Sequence, residues 1–490
     1  MDINHKFTKK ELTDIFNKVI NKTLGEVDVN HVFDKTIVNP KVTGIAGDVV
    51  EQSIIGYPAD SKQRPDLIVD DKEVELKTTG LKKSKKKFGA LEAKEPMSIT
   101  AVSPDKISNQ KFESSDFWHK LERLLLVYYL YDSDTTVKAS DYARFPIMGY
   151  EFHEFSNDEK EILKNDWLIV RNYIKELQEN YDNPKDYYPT ISSKLRPDLM
   201  LIDTAPKWPN PPRFRLKRTT VSTIVENYFT NKELEKLDKN FGTFNKLDER
   251  LHEFTEKYSG KTIESLIKAL NIQVNLNKKG DVSKSVTEQI VTRMFGAESK
   301  KISKIDIFNK IGLVAKTITQ TKSGMRTEDT KLFPVDFEEW LDKDNSFEES
   351  SAFSDFSERQ FLFVIFEEQN SNEKLLCNKF VGFKRVTFSD EFIFEEVLPV
   401  WNYVRDTIFN DKLIETVDLD SNGNQRINSN GTIKTSVNLP KSADYKIFFR
   451  GTGQNSSDKP VYINGIHMYR QYVWIRGTEI LKMLSSQKYI

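Results

Sequence analysis

Two carboxylates and a lysine lie within one short stretch of this chain: Pro65-Asp66, eight intervening residues, then Glu75-Leu76-Lys77. Two hard carboxylate oxygens suit Mg²⁺, which keeps positions open for water and for a phosphate oxygen. A lysine beside them can neutralise charge on an attacked phosphate or orient the attacking water. Together they supply what metal-assisted phosphodiester cleavage requires. The pattern is short and 30% of the chain is charged, so a solvated hairpin with a surface salt bridge explains the same letters. For the chemistry to work, the local elements must converge. Leu67, Ile68 and Val69 read as a strand, Asp70-Asp71-Lys72 as a turn, and Glu73 to Lys77 as the returning strand. Strand side chains alternate faces, so Glu75 and Lys77 share one, and the hairpin brings Asp66 beside them.

The rest of the chain bounds what that site could belong to. Its 490 residues give room for two to four domains. The hydrophobic content of 38% and the 32 phenylalanines are enough for ordinary buried cores and argue against disorder. The start, MDINHKFTKKEL, lacks the apolar stretch of a signal peptide, and the apolar run Leu124 to Leu130 is too short to span a bilayer. The lone Cys377 allows no internal disulfide, and no Cys/His cluster suggests zinc. The expectation is a soluble cytoplasmic protein. A net charge of −1 does not suit a general DNA-coating protein. The charge is locally segregated, however: Lys77, Lys82, Lys83, Lys85, Lys86 and Lys87 follow one another with no acid between. Such a run is commonly a solvated loop, but directly after a candidate metal site it reads as a phosphate-contacting one.

A second signal is a diverged internal duplication. Thr23 recurs as Thr262, Lys77-Thr78 as Lys316-Thr317 and Ser115-Asp116-Phe117 as Ser354-Asp355-Phe356, all at a shift of 239. Glu51-Gln52 matches Glu288-Gln289 at 237, and Trp167, Val170, Arg171 and Ile174 match Trp401, Val404, Arg405 and Ile408 at 234. A nearly constant shift in one order points to two copies of one fold. The expected division is 1–230, a charged helical connector 231–246, and 247–490. The copies differ at the site. Val314 stands opposite Glu75 and Ala315 opposite Leu76, leaving Lys316 and a nearby Asp306. The second copy therefore lacks the metal-binding pair.

The spaced blocks resemble the family of the MutH mismatch-repair nicking endonuclease and the Sau-three-AI type restriction endonucleases. They are Lys22 to Glu26, Gly47 to Glu51, Val74-Glu75-Leu76-Lys77-Thr78, Phe112 to Ser115 leading into His119 to Leu124, Asp166-Trp167, and Phe214 to Lys217. The resemblance implies two tandem PD-(D/E)xK, MutH-like α/β domains, each a mixed sheet flanked by helices. It implies Mg²⁺ on Asp66 and Glu75 with the Leu76 carbonyl assisting, Lys77 as catalytic lysine, and Glu51 and Lys120 as further active-site residues. Read alone, Glu51 and Lys120 would be helix-surface charges. The resemblance further implies a second half that binds another copy of the target, and GATC as that target.

Candidate DNA contacts, beyond the lysine run, are Lys194 and Arg196 in the segment 188–197, and Arg215, Lys217 and Arg218 at the end of the first half. In the second half they are Arg450, Gln454 and Asn455. The Pro-rich run 207–213 reads as a surface loop. The reading is a Mg²⁺-dependent type II site-specific deoxyribonuclease that binds double-stranded DNA at two sites per chain. One active site per chain makes transient dimerisation on a twofold target the natural solution. Competing readings are a nicking repair endonuclease, a DNA-binding regulator on an inactive nuclease fold, and a protein-interaction module.

Overall fold

Leu67–Val69 (β2) turns back into the long strand Lys72–Lys83 (β3) through Asp70 and Asp71, both in left-handed backbone at φ 47° and 64°. Two such residues make the tight turn that matches strand twist, which aspartate tolerates. β2 pairs antiparallel with β3, and Lys6–Phe7 (β1) runs parallel to β2. On the other side of β3, Arg123–Leu130 (β6) is parallel and Ile147–Glu154 (β7) is antiparallel to β6, giving the order β1-β2-β3-β6-β7. Leu91–Ala93 (β4) also pairs with β3. A second sheet joins Met97–Ala101 (β5), Arg213–Leu216 (β9) and Ile202–Asp203 (β8), with β9 in the middle. This is a mixed α/β architecture. The computed structural model describes residues 5–40, 42–57, 65–84, 89–133, 136–205, 212–230, 234–239, 241–321, 328–370 and 373–490.

The sheet is amphipathic by strand alternation. Val74 and Leu76 face a core of Ile45, Val49, Val50, Leu125 and Val127, so Glu75 and Lys77 face the other way. That polar-bearing side also carries Leu124 and Leu126. The 24-residue helix Asn157–Asn180 opens with a capping box, Ser156 to Glu159, and buries Ile162, Leu163, Trp167, Val170 and Ile174 at helical spacing.

The chain divides into two compact units. One comprises residues 1–133, 137–249 and 295–313; the other comprises 134–136, 250–294 and 314–490. This differs from the expected division in two ways. Among its described residues, the connector 231–246 is helical only from Phe244 onward. Its backbone is drawn into pairing instead: Glu235 N–H donates to Lys304 O (3.0 Å) and Asp306 N–H donates to Glu235 O (2.9 Å). The second correction is that 295–313 belongs with the first unit. There Lys310, buried, bonds Glu159 (2.6 Å) and Asp306 (2.7 Å), Asn227 donates to Asp306 (3.0 Å), and Thr219 donates to the Lys310 carbonyl (2.8 Å). Asp306 is thus a partner of Lys310 rather than a remnant carboxylate beside Lys316.

The second unit has a sheet of Leu313–Thr321 (β10), Gln360–Glu368 (β12) and Lys379–Val386 (β13), in that order. Another joins Thr330–Pro334 (β11), Arg470–Ile475 (β19) and Ile447–Thr452 (β16), with β19 central. Two hairpins complete it: Glu415–Val417 (β14) with Thr435–Val437 (β15), and Val461–Ile463 (β17) with Ile466–Met468 (β18). The helix Leu398–Phe409 buries Trp401, Val404 and Ile408. The expected pairing of Ser115-Asp116-Phe117 with Ser354-Asp355-Phe356 shifts by four residues. Ser115 caps the helix Asp116–His119 and donates to Phe112 O (2.7 Å). The residue in that role in the second unit is Ser350, which caps Ser351–Ser357 and donates to Phe347 O (2.6 Å). No helix among the described residues is long and apolar enough to cross a membrane.

Candidate active site

Antiparallel register sets Leu67 opposite Val74, so Asp66 falls next to Glu75 across the hairpin. The Leu76 N–H donates to Asp66 Oδ2 at 2.9 Å, locking the carboxylate against the middle of the motif. The Asp66 carbonyl in turn bonds His5 Nδ1 at 2.8 Å, and the His5 ring lies against Tyr57. Glu75 is 1% exposed, a position that demands partners for a charge. It has two: Lys77 Nζ at 2.7 Å from Oε1, and Lys120 Nζ at 3.1 Å from Oε1 and 3.3 Å from Oε2. Lys77 and Lys120 keep 20% and 15% of their side-chain surface exposed, so the cluster is not sealed from solvent. Lys120 reaches it because Ser115 starts the short helix Asp116–His119 and Lys120 closes it, its N–H donating to Asp116 O.

Glu51 arrives by a less regular route. The helix Ile45–Val49 widens into a π-helical turn, Val50–Ile55, ended by Gly56 at φ 87°; the N–H groups of Gly56 and Tyr57 both donate to Glu51 O. Such widened turns re-aim side chains at functional sites. Burial, then the nearby charges of Asp66, Asp48 and Glu75, push the Glu51 carboxyl up to about 7, with Lys77 opposing. Asp66 is raised in the same direction by burial and by Glu75, against the Leu76 N–H, Lys77 and Lys120. Glu51, Asp66, Glu75, Lys77 and Lys120 are therefore brought together.

Carboxylates that raise one another's proton affinity are a set whose repulsion a divalent cation would relieve. Among the described residues no three His, Cys, Asp or Glu side chains are grouped so as to enclose a metal ion. One or two carboxylates with waters is how Mg²⁺ is commonly held, so the donor set fits that ion.

The candidate DNA contacts scatter. Lys83 pairs with Asp132 at 3.0 Å and Lys82 lies near the Tyr131 ring; Lys85, Lys86 and Lys87 fall outside the described residues, as do Lys207 to Pro211. Lys194 is exposed on the helix Ile191–Leu195, with half-buried Arg196 following it. Arg218 begins the helix Arg218–Thr230 and is half-buried. Two basic residues near β9 are engaged within the fold, and the second, Lys217, is a correction. Arg215 is held bidentately by Asp203 at 2.8 and 2.9 Å, a fork that fixes it within its own sheet. Lys217 is 1% exposed and donates to Leu199 O; it sits just past β9, where the chain turns into the next helix and the alternation that would have exposed it ends. In the second unit Arg450 pairs with Asp329 at 2.8 Å, while Gln454 and Asn455 are exposed in the loop after β16.

In the second unit Val314 precedes Lys316 by two residues, as Glu75 precedes Lys77 in the first. Lys316 Nζ donates to Lys331 O at 2.6 Å. Burial, with Arg359 and Lys331 nearby, brings it down to about 8 despite Glu288.

Sequence reasoning missed His5, which lies 61 residues before its partner and forms no motif with it, and Asp48, whose charge bears on Glu51.

Residues 55–166 match the family model described as DNA mismatch repair enzyme MutH, a stretch that includes Asp66, Glu75, Lys77 and Lys120 and begins after Glu51. Over 478 residues the chain is 25% identical to the Type II restriction enzyme Sau3AI of Staphylococcus aureus, covering 90% of this chain and 92% of that enzyme. The resemblance read from the spaced blocks holds: a MutH-type domain over the motif, and similarity to a Sau3AI-type enzyme through both halves.

Proposed function

We propose that this chain is a Mg²⁺-dependent type II restriction endonuclease that cleaves double-stranded DNA at GATC or a related short palindrome, its second half binding a further DNA site as effector. The observation that carries this reading is the convergence of Glu75 with Asp66, Lys77 and Lys120 in a chain similar along its length to such an enzyme. Asp66 and Glu75 would hold the metal, with the Leu76 carbonyl beside them. Mg²⁺ held there would supply charge stabilisation at the phosphate and a bound water more acidic than bulk water. Lys77 and Lys120, each tied to Glu75, present positive charge where an attacked phosphate would gain negative charge. Glu51, poised near neutrality, can take or hold a proton at the edge of the cluster.

Features shared by the two units support the effector role. Each unit pairs a capping serine, donating to a phenylalanine carbonyl three residues earlier, with a three-strand sheet whose late strand is central. A twofold target and one complete site per chain call for two chains acting on one duplex. The test is plasmid cleavage with Mg²⁺ on one-site and two-site DNA, with the cut ends sequenced. Selective cutting stimulated by the second site is expected. A Glu75→Ala protein that cuts as fast as the parent defeats the site assignment.

A further inference from the structure

Two buried charges of the first unit that catalysis does not use, Asp166 and Lys217, lie behind the segment 188–198. Asp166, on the helix Asn157–Asn180, is 1% exposed. Its carboxylate accepts the N–H groups of Met200 (2.9 Å), Leu201 (2.8 Å) and Ile202 (3.2 Å). Lys217 approaches the same segment from the end of β9. Its ammonium donates to Leu199 O and its N–H to Leu201 O (2.9 Å), while Thr220 adds a hydroxyl to Leu201 O (3.0 Å). Residues 199–202 are thus gripped from both sides by an oppositely charged buried pair. Immediately before them lies the helix Ile191–Leu195, coupled to the grip by Asp198 and Leu199 N–H groups donating to Leu195 O. The same long helix holds the segment's other end. Tyr173 shares a hydrogen with Thr190 (2.7 Å), and Gln178 bonds both Pro104 O and the Tyr188 hydroxyl.

Core packing alone does not call for this arrangement. In the second unit the residue before Trp401 is Val400, where Asp166 precedes Trp167. The backbone bond there is Arg476 N–H to Lys446 O at 2.9 Å, and the nearby carboxylate, Asp329, takes the Gly477 N–H (3.1 Å) and pairs with Arg450 instead. The clamp accompanies the unit that holds the metal motif.

We propose that Asp166 and Lys217 are positioning residues for DNA recognition: they fix the return of the segment 188–198 so that Lys194 and Arg196 meet the target base pairs in one register. This rests on the endonuclease reading above. A carboxylate receiving three backbone donors sets backbone direction more tightly than apolar packing does, and base-edge readout depends on such placement. The clamp touches neither Glu75 nor its lysines, so losing it should blur selection while sparing the chemical step.

The experiment measures kcat, KM and the cognate-to-single-mismatch cleavage ratio for the parent, Asp166→Asn, Asp166→Glu and Lys217→Met, each checked for folding by circular dichroism. In Asp166→Asn the cognate preference falls by about tenfold or more, KM rises, and kcat stays within about threefold. Lys217→Met behaves likewise, and Asp166→Glu recovers part of the preference. Unchanged preference in folded Asp166→Asn, or a fall in kcat at constant KM, overturns the proposal. Where Asp166→Asn does not fold, Lys217→Met and Asp166→Glu decide by the same criteria. A parent that does not cleave duplex DNA in Mg²⁺ fails the endonuclease reading itself, whereas a selective parent with an equally selective clamp variant fails only the clamp.

Discussion

Strands β3 and β10 each carry a lysine, Lys77 and Lys316, in opposite circumstances. In β3, Lys77 lies 2.7 Å from Glu75, and Lys120 reaches the same carboxylate from a separate helix. In β10, Val314 stands where the carboxylate would be; Lys316 has a neutral carbonyl at 2.6 Å, and Arg359 and Lys331 raise the cost of its charge. An anchored cation beside carboxylate oxygens thus contrasts with an amine that burial, then Arg359 and Lys331, bring down to about 8. If the two strands are diverged copies, such a difference needs no change of fold, only a change of the groups around one lysine.

The comparison can be broken most sharply at the carboxylates. Glu75→Ala and Asp66→Ala should each slow plasmid cleavage by about 10³-fold, with initial rates in Mg²⁺ as readout. Lys77→Met and Lys120→Met should cost about 10²-fold each, while Lys316→Met leaves the one-site rate within about twofold; a comparable loss from Lys316→Met would end the asymmetry. Val314→Glu should move Lys316 upward from about 8, read as the midpoint of amine labelling against pH. The sign follows from linkage. The folded pKa lies below the ordinary lysine value of 10.5, so the residue's contribution to stability is present above that value and is lost as pH falls through about 8. Val314→Glu should flatten that dependence in thermal melts. The smallest effects belong to the matched caps. Ser115→Ala and Ser350→Ala should each cost about 1 kcal/mol of stability, measured by denaturant titration. The first should also slow cleavage, since it loosens the helix that presents Lys120.

The hairpin of the site was legible because its signals are local: alternation in Leu67 to Lys77, and a two-aspartate turn that fixes which residues face each other. Glu51 was not legible from its own surroundings, since its approach depends on a widened helical turn that no periodicity announces. Lys217 misled because a basic residue after Phe-Arg-Leu looks like a surface contact, and only the partner segment 199–202 shows that it points inward. The connector misled in the other direction. Its charged composition favours a helix, but Glu235 finds backbone partners at 304 and 306, seventy residues away, and tertiary pairing overrides local preference.

That last docking bears on how the gene could be divided. A break placed at the connector, where composition invites it, would leave residues 295–313 on the wrong fragment. The amino-terminal piece would then expose Glu159 and the Thr219 and Thr220 hydroxyls without Lys310, and the carboxy-terminal piece would carry a lysine and an aspartate shaped for a cavity it no longer owns. A split or domain-swapped enzyme assembled from such pieces should work only when that short stretch travels with the front fragment, which makes it the natural place to join halves taken from different relatives.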